Sequence, residues 1–180
     1  MKKLKSKAGI TLIEMMVSLL ILVFLVVGMG PGMETASRIY REATFETDSG
    51  MLARIINNAM GDILRYAEDV DTEKNWKNDP LPPEIPFVFT SYDYRIQDAY
   101  FYLPEDANGN AKGVLQMKNL RNGSIVDLVN TGAYPDLQLS GLEVVFDKDN
   151  GIFTIRYIIS SISDPAKTRD ISHVVRLMNT

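Results

Sequence analysis

"KSKAGITLIEMMVSLLILVFLVVGMGP", residues 5–31, is a long apolar run that keeps one carboxylate, Glu14, near its start. Ile10 to Met29 is 20 residues, and Thr11, Glu14 and Ser18 are its only polar side chains. About 20 helical residues cross the ~30 Å hydrocarbon core of a bilayer. Lys2, Lys3, Lys5 and Lys7 precede the run and hold the N-terminus on the cytoplasmic side by the positive-inside rule. An acidic residue at the centre of a spanning helix costs about 2.5–3.5 kcal/mol, and less near an end. Such residues usually have a partner and a function. A carboxylate snorkelling to the headgroups is the plainer reading of Glu14.

Three fates fit the segment. A secretory signal would be cut beyond the apolar run, but "VGMGPGM" offers glycines without an A-x-A site, and Pro31 sits badly there. An uncut signal anchor leaves Glu14 unexplained. Cleavage before the run brings in "KAG|ITLIE", with Gly9 last in a short basic leader and Glu14 fifth after the cut. This N-terminus resembles the prepilin-peptidase site of type IV pilins and type II secretion pseudopilins. The resemblance covers residues 1 to about 31. It implies cleavage after Gly9, N-methylation of the new terminus at Ile10, and a filament-assembly role for Glu14, paired with the N-terminal amine of a neighbouring subunit. A carboxylate and an ammonium are each costly in lipid and become cheap together when helices pack.

The chain has 180 residues and a net charge of −4, which loss of the four leader lysines would take to −8. The remainder is long enough for one domain with its own core. The acidic balance argues against non-specific nucleic-acid binding. The absence of cysteine excludes disulfides, a cysteine-based zinc site and a cysteine nucleophile. It also departs from the many major pilins that close a C-terminal loop with a disulfide.

The sequence divides into a leader (1–9), a transmembrane or filament-core helix (10–31), an amphipathic helix half (32–67), a connecting loop (68–86) and a β-sheet domain (87–180). "GMGPG", Gly28 to Gly32, predicts a kink or a melted turn at Pro31, because proline removes a helical donor and crowds the previous turn. Many pilins carry a proline at this distance from the cut; alternatively, Pro31 simply ends the membrane helix. Beyond it, Ala36, Ile39, Tyr40 and Ala43 form a narrow apolar stripe. Leu52, Ile55, Ile56, Ala59, Met60, Ile63, Leu64 and Ala67 continue it at steps of three and four. Arg38, Arg41, Glu42, Arg54, Asp62 and Arg65 fall on the other faces, and Gly50 is a weak point. The loop holds the lone Trp76, expected to cover a core edge.

From Phe87 the period changes to two. "FVFTSYDYRIQ", "AYFYLP", "VLQMKNL", "SIVDLVN", "LQLSGLEVVFD", "IFTIRYIISS" and "ISHVVRLMN" read as strands, separated by turns at "EDANGN", "RNG" and "DKDNG". The expected fold is α+β: a long N-terminal helix packed on an antiparallel sheet. Periodicity alone leads there, and the layout matches the pilin fold. Alternation places Phe87, Phe89 and Phe101 inward and leaves Tyr92, Tyr94, Tyr100 and Tyr102 for an exposed or edge patch.

Catalytic signatures are missing: no G-x-S-x-G, no H-E-x-x-H and no phosphate-binding glycine loop occurs. His173 is the only histidine, expected to be a strand residue, so a transition-metal site is disfavoured. Calcium is weighed at two turns. Asp106, Asn108 and Asn110 begin like an EF-hand loop, but Ala111 holds the glycine position and Met117 the place of the bidentate glutamate. Asp147 and Asp149 in "DKDNG" suit an ordinary hairpin. No catalytic residue, metal or other cofactor is therefore expected.

What the resemblance implies is a structural subunit of a type IV pilus or type II secretion pseudopilus. Its partners would be other subunits, the prepilin peptidase, an inner-membrane assembly platform and the membrane itself, with no nucleic acid bound. It would cross the inner membrane once, with its C-terminal domain outside the cytoplasm. The fairly large, cysteine-free domain and the ending "ISHVVRLMN" resemble minor, tip-priming subunits of the J-type or PilW-like kind. A major pilin for adhesion or motility and a DNA-uptake pseudopilin are the alternatives. A signal-anchored envelope protein that binds a ligand or acts as an enzyme is the reading from another class.

Overall fold

The computed structural model describes residues 11–72, 75–76, 79–80, 87–92, 94–104 and 114–178. The chain forms two compact units, Met1–Thr44 and Phe45–Thr180. One helix, α1 (Leu12–Arg65), enters both. Its 54 residues correspond to about 80 Å of helix at 1.5 Å per residue.

In the first unit every described residue, 11 to 44, is exposed. The helix runs unbroken through Gly28–Gly32, so no melted turn forms at Pro31. Pro31 lies inside the helix, where its missing N–H removes one ladder bond without ending the element. The stripe of Ala36, Ile39, Tyr40 and Ala43 is likewise uncovered, with Ile39 59% and Tyr40 73% exposed. The helical period holds here, but these side chains are exposed.

In the second unit burial begins at Phe45 and follows the expected spacing. Leu52, Ile56, Met60, Ile63, Leu64 and Ala67 are all buried. Ile55 departs from the stripe at 43% exposed, because it sits at its margin, one step from Ile56. Arg54, Asp62 and Arg65 stay in solvent.

Among the described residues ten strands follow: β1 (Asp69–Asp71), β2 (Asn75–Trp76), β3 (Asp79–Pro80), β4 (Val88–Ser91), β5 (Ile96–Tyr102), β6 (Val114–Asn119), β7 (Ile125–Asn130), β8 (Leu137–Asp147), β9 (Ile152–Ser161) and β10 (Thr168–Arg176). They form a five-stranded antiparallel sheet ordered β1-β4-β5-β6-β7, a three-stranded antiparallel sheet ordered β10-β9-β8, and the β2–β3 hairpin. The fold is α+β, one long helix with antiparallel sheets, as the periodicity indicated.

The core joins α1 to both sheets, with Leu52, Ile56, Met60 and Leu64 in one cluster with Phe89, Leu115, Phe153, Ile155 and Ile159. Burying each such side chain contributes about 1.5–3 kcal/mol. Tyr157 of β9 donates its hydroxyl to the Ala53 carbonyl at 3.1 Å and to Asn57 Oδ1 at 3.0 Å. The far end of α1 is capped from the sheets: Met178 N donates to the Arg65 carbonyl at 3.0 Å and Ser91 Oγ to the Tyr66 carbonyl at 2.9 Å. Gly61 lets the helix approach β10, since a Cβ there would lie 3.6 Å from both His173 Nε2 and Val175 Cγ2.

Three further expectations need correction. Residues 68–86 are not wholly a loop, since β1 pairs with β4 and β2 with β3. These strands are two or three residues long and mostly polar, so they leave no alternating signal. The run from Phe87 to Gln97 is two strands, because the chain turns at Tyr92–Arg95 with Arg95 N–H on the Tyr92 carbonyl and Arg95 at φ +53°. Tyr100 and Tyr102 do not join Tyr92 and Tyr94 in an exposed patch. Tyr100 is buried against Val88, Tyr102 and Leu120 in a second, smaller cluster. Phe87, Phe89 and Phe101 do point inward, and Phe89 stacks on Phe101 with centroids 4.9 Å apart.

Candidate functional site

The start of α1 is built by a four-residue pattern, Thr-Leu-Ile-Glu. Thr11 is the N-cap, and its carbonyl accepts the N–H of Met15 at 3.2 Å. The Glu14 N–H donates to Thr11 Oγ1 at 3.3 Å. In return Glu14 Oε2 accepts the Thr11 N–H at 2.9 Å and the Thr11 hydroxyl at 3.0 Å. This is a reciprocal capping box, which satisfies two of the amide donors that a helix N-terminus leaves over. It also places a carboxylate at the positive end of the helix dipole. Both contacts use Oε2, and among the described residues no hydrogen bond is made to Oε1. Thr11 therefore fixes the carboxylate in a defined rotamer and leaves one oxygen open to a further donor.

Glu14 sits at one end of a bare apolar column. From Leu12 to Met29 every large apolar side chain is exposed, from Val23 at 49% to Leu12 at 82%. This is the only described helix long and apolar enough to cross a membrane. The arrangement cannot stay in water, because so long an apolar surface needs lipid or other helices around it. It can do two things chemically: anchor in a bilayer, and present a held carboxylate to a cation within that apolar surface.

Residues 4–30 match a family model described as the prokaryotic N-terminal methylation motif. The match covers this N-terminal segment alone, and it supports the resemblance to type IV prepilins and pseudopilins. No curated protein and no solved structure matches the chain. A methylation motif of this kind implies processing by a prepilin peptidase and assembly with other pilin subunits, and the apolar helix is consistent with membrane anchoring.

The remaining residues singled out from sequence are scattered. Gly9 and Ile10, the cleavage and methylation pair, lie outside the described residues, as does the 106–111 turn weighed for calcium; Trp76 lies in β2, its side chain undescribed. Asp147 Oδ1 accepts the N–H groups of Asp149 and Asn150, and its Oδ2 accepts Asn150 Nδ2 at 2.7 Å. The Asn150 amide is the main reason the Asp147 carboxyl is held below the usual range. These bonds commit it to its own hairpin. His173 is half-buried on β10, paired with Ile155. Among the described residues no three acidic, histidine or cysteine side chains gather as a metal site. An open cleft of about 300 Å³ over Gly141, Ile158 and Ile171 is mostly apolar, and Arg156 on its rim leans to Glu143 at 3.5 Å.

Sequence reasoning gave Thr11 no role of its own, taking it as a polar interruption and as one letter of the "ITLIE" motif. The T-x-x-E spacing is a capping-box signature and carried the signal. Tyr157 and Arg169, which fasten α1 to the strands, had no such signal, because their partners lie more than 99 residues away in the chain.

Proposed function

We propose that the chain is a structural pilus or pseudopilus subunit, cut after Gly9, N-methylated at Ile10, and assembled through Glu14. The observation that carries this is the Thr11–Glu14 box at the head of a wholly exposed apolar helix. Thr11 is the positioning residue: it holds Oε2 so that Oε1 meets the N-terminal ammonium of a neighbouring subunit. Such a pair is charge-assisted, and its strength in an apolar filament core comes from leaving neither charge unpaired. A subunit added out of register leaves both groups unpaired, so the pair selects register as well as contact.

The exposed stripe of Ile39 and Tyr40 supports the same reading, since neighbouring helices in a filament would cover it. We place the N-terminus in the cytoplasm, the Phe45–Thr180 unit outside it, and the chain among minor, assembly-priming subunits, on the leader charge and the cysteine-free domain. The mechanism is assembly, without a reaction catalysed by this chain. Glu14→Val tests it. The variant should insert and lose its leader normally, yet be missing from sheared filaments. Normal incorporation of Glu14→Val would overturn the proposal.

A further inference from the structure

A polar cluster lies where the buried part of α1 begins. Arg169, on the inner face of β10, points Nη1 at the Glu46 carbonyl (3.2 Å), Glu46 Oε2 (3.3 Å) and Ser49 Oγ (3.2 Å). Ser49 is fully buried, and its hydroxyl donates to the same Glu46 carbonyl at 3.3 Å. Gly50 completes the seat. A Cβ there would touch Arg169 Nη1 at 3.4 Å, so a longer side chain in that direction would meet the guanidinium. The glycine that weakens the helix thus stands where the arginine crosses it.

The next fastening is Tyr157 on Ala53 and Asn57, about two turns further on. The two differ in kind. Tyr157 is buried and neutral. The Arg169–Glu46 pair is charged and open to solvent, with side chains 38% and 64% exposed. Exposed ion pairs are weak and screened by salt, whereas buried neutral hydrogen bonds are not.

We propose that Arg169 is a latch. It seats Glu46–Gly50 on β10 and opens on its own, releasing the start of the docked helix as far as Gly50, beyond which buried Leu52 and then Tyr157 still hold. The free part of α1 therefore has two lengths, selected by ionic conditions at one exposed pair. This inference concerns only the Phe45–Thr180 unit and stands whether or not the chain assembles into a filament.

Hydrogen exchange on the full chain in detergent micelles tests it, read for peptides covering residues 45–52 and 53–65. Arg169→Gln should speed exchange in 45–52 by about tenfold, the change expected on losing one hydrogen bond to a charged group, and leave 53–65 unchanged. Glu46→Gln keeps the carbonyl and Ser49 contacts, so it should give a smaller change in the same segment. Raising the salt to about 0.5 M should loosen 45–52 in the parent chain and not in Arg169→Gln. Tyr157→Phe should speed 53–65 as well. Equal acceleration of both segments by Arg169→Gln would make Arg169 an ordinary part of the core and overturn the latch. No acceleration in either segment would overturn it too.

Discussion

Leu22 and Leu52 belong to the same helix, yet Leu22 is 60% exposed and Leu52 is fully buried. The two halves of α1 are apolar for different reasons. Residues 12–29 are apolar on every side, the composition of a helix made for lipid or for other helices. Residues 45–65 are apolar on one stripe and charged elsewhere, the pattern of a helix made for a sheet. One half is completed by its own chain. The other is completed only by something else, and its one carboxylate is held ready at the far end.

That contrast can be broken most sharply at Glu14. Removing its charge should abolish incorporation into filaments while leaving the thermal unfolding of the Phe45–Thr180 unit unchanged, as read by circular dichroism. Next in size, Leu52→Ala or Ile56→Ala should destabilise the β-containing unit by about 2–5 kcal/mol in urea titrations, since each truncation leaves a cavity in a full core. The same change at Leu22 should leave the urea midpoint unmoved. If Leu22→Ala and Leu52→Ala shift it equally, the division of the helix is wrong.

Tyr157→Phe should cost about 1–2 kcal/mol, from the bonds to Ala53 and Asn57. Burial pushes the Tyr157 hydroxyl well up from the usual tyrosine range. A raised folded pKa means that this stabilisation is complete below the unfolded tyrosine pKa of about 10 and is lost as pH rises beyond it. Alkaline denaturation should therefore come at higher pH in Tyr157→Phe, relative to its stability at neutral pH.

The smallest effect is expected at Asp136. The Ser161 hydroxyl is the first of the donors that hold its carboxyl below the usual range, with Ser163 adding two more. A depressed folded pKa stabilises above the unfolded pKa of about 3.9 and is lost as pH falls through the folded value. Asp136→Ala should then be slightly less stable than the parent at pH 7. The difference should vanish in acid, as followed by thermal melts across the pH range.

Much of this contrast is legible in the sequence, because periodicity reports which side of an element needs cover. It gave the buried spacing of Leu52, Ile56, Met60 and Leu64, the inward Phe87, Phe89 and Phe101, and the hairpin after Asp147. It does not report whether the cover belongs to the same chain, which is why Ile39 and Tyr40 read as packed and are bare. Nor does it see strands of two or three polar residues, or a turn at Tyr92–Arg95 held by one backbone hydrogen bond. At the candidate site the sequence reading singled out Glu14 and passed over its partner, although the signal was there. Its pattern, Thr11 to Glu14, is local, and a capping box needs only four consecutive residues. The Arg169 and Tyr157 fastenings depend on the tertiary fold and leave no local pattern.

The central claim is that the exposed half of α1 is a processed filament segment. Intact mass and N-terminal sequence of the protein from native membranes, with and without the prepilin peptidase, test it most directly. The account predicts a chain that begins at methylated Ile10 and reverts to the uncut form when the peptidase is absent. A chain that still begins at Met1, or one cut near residue 30, would contradict it.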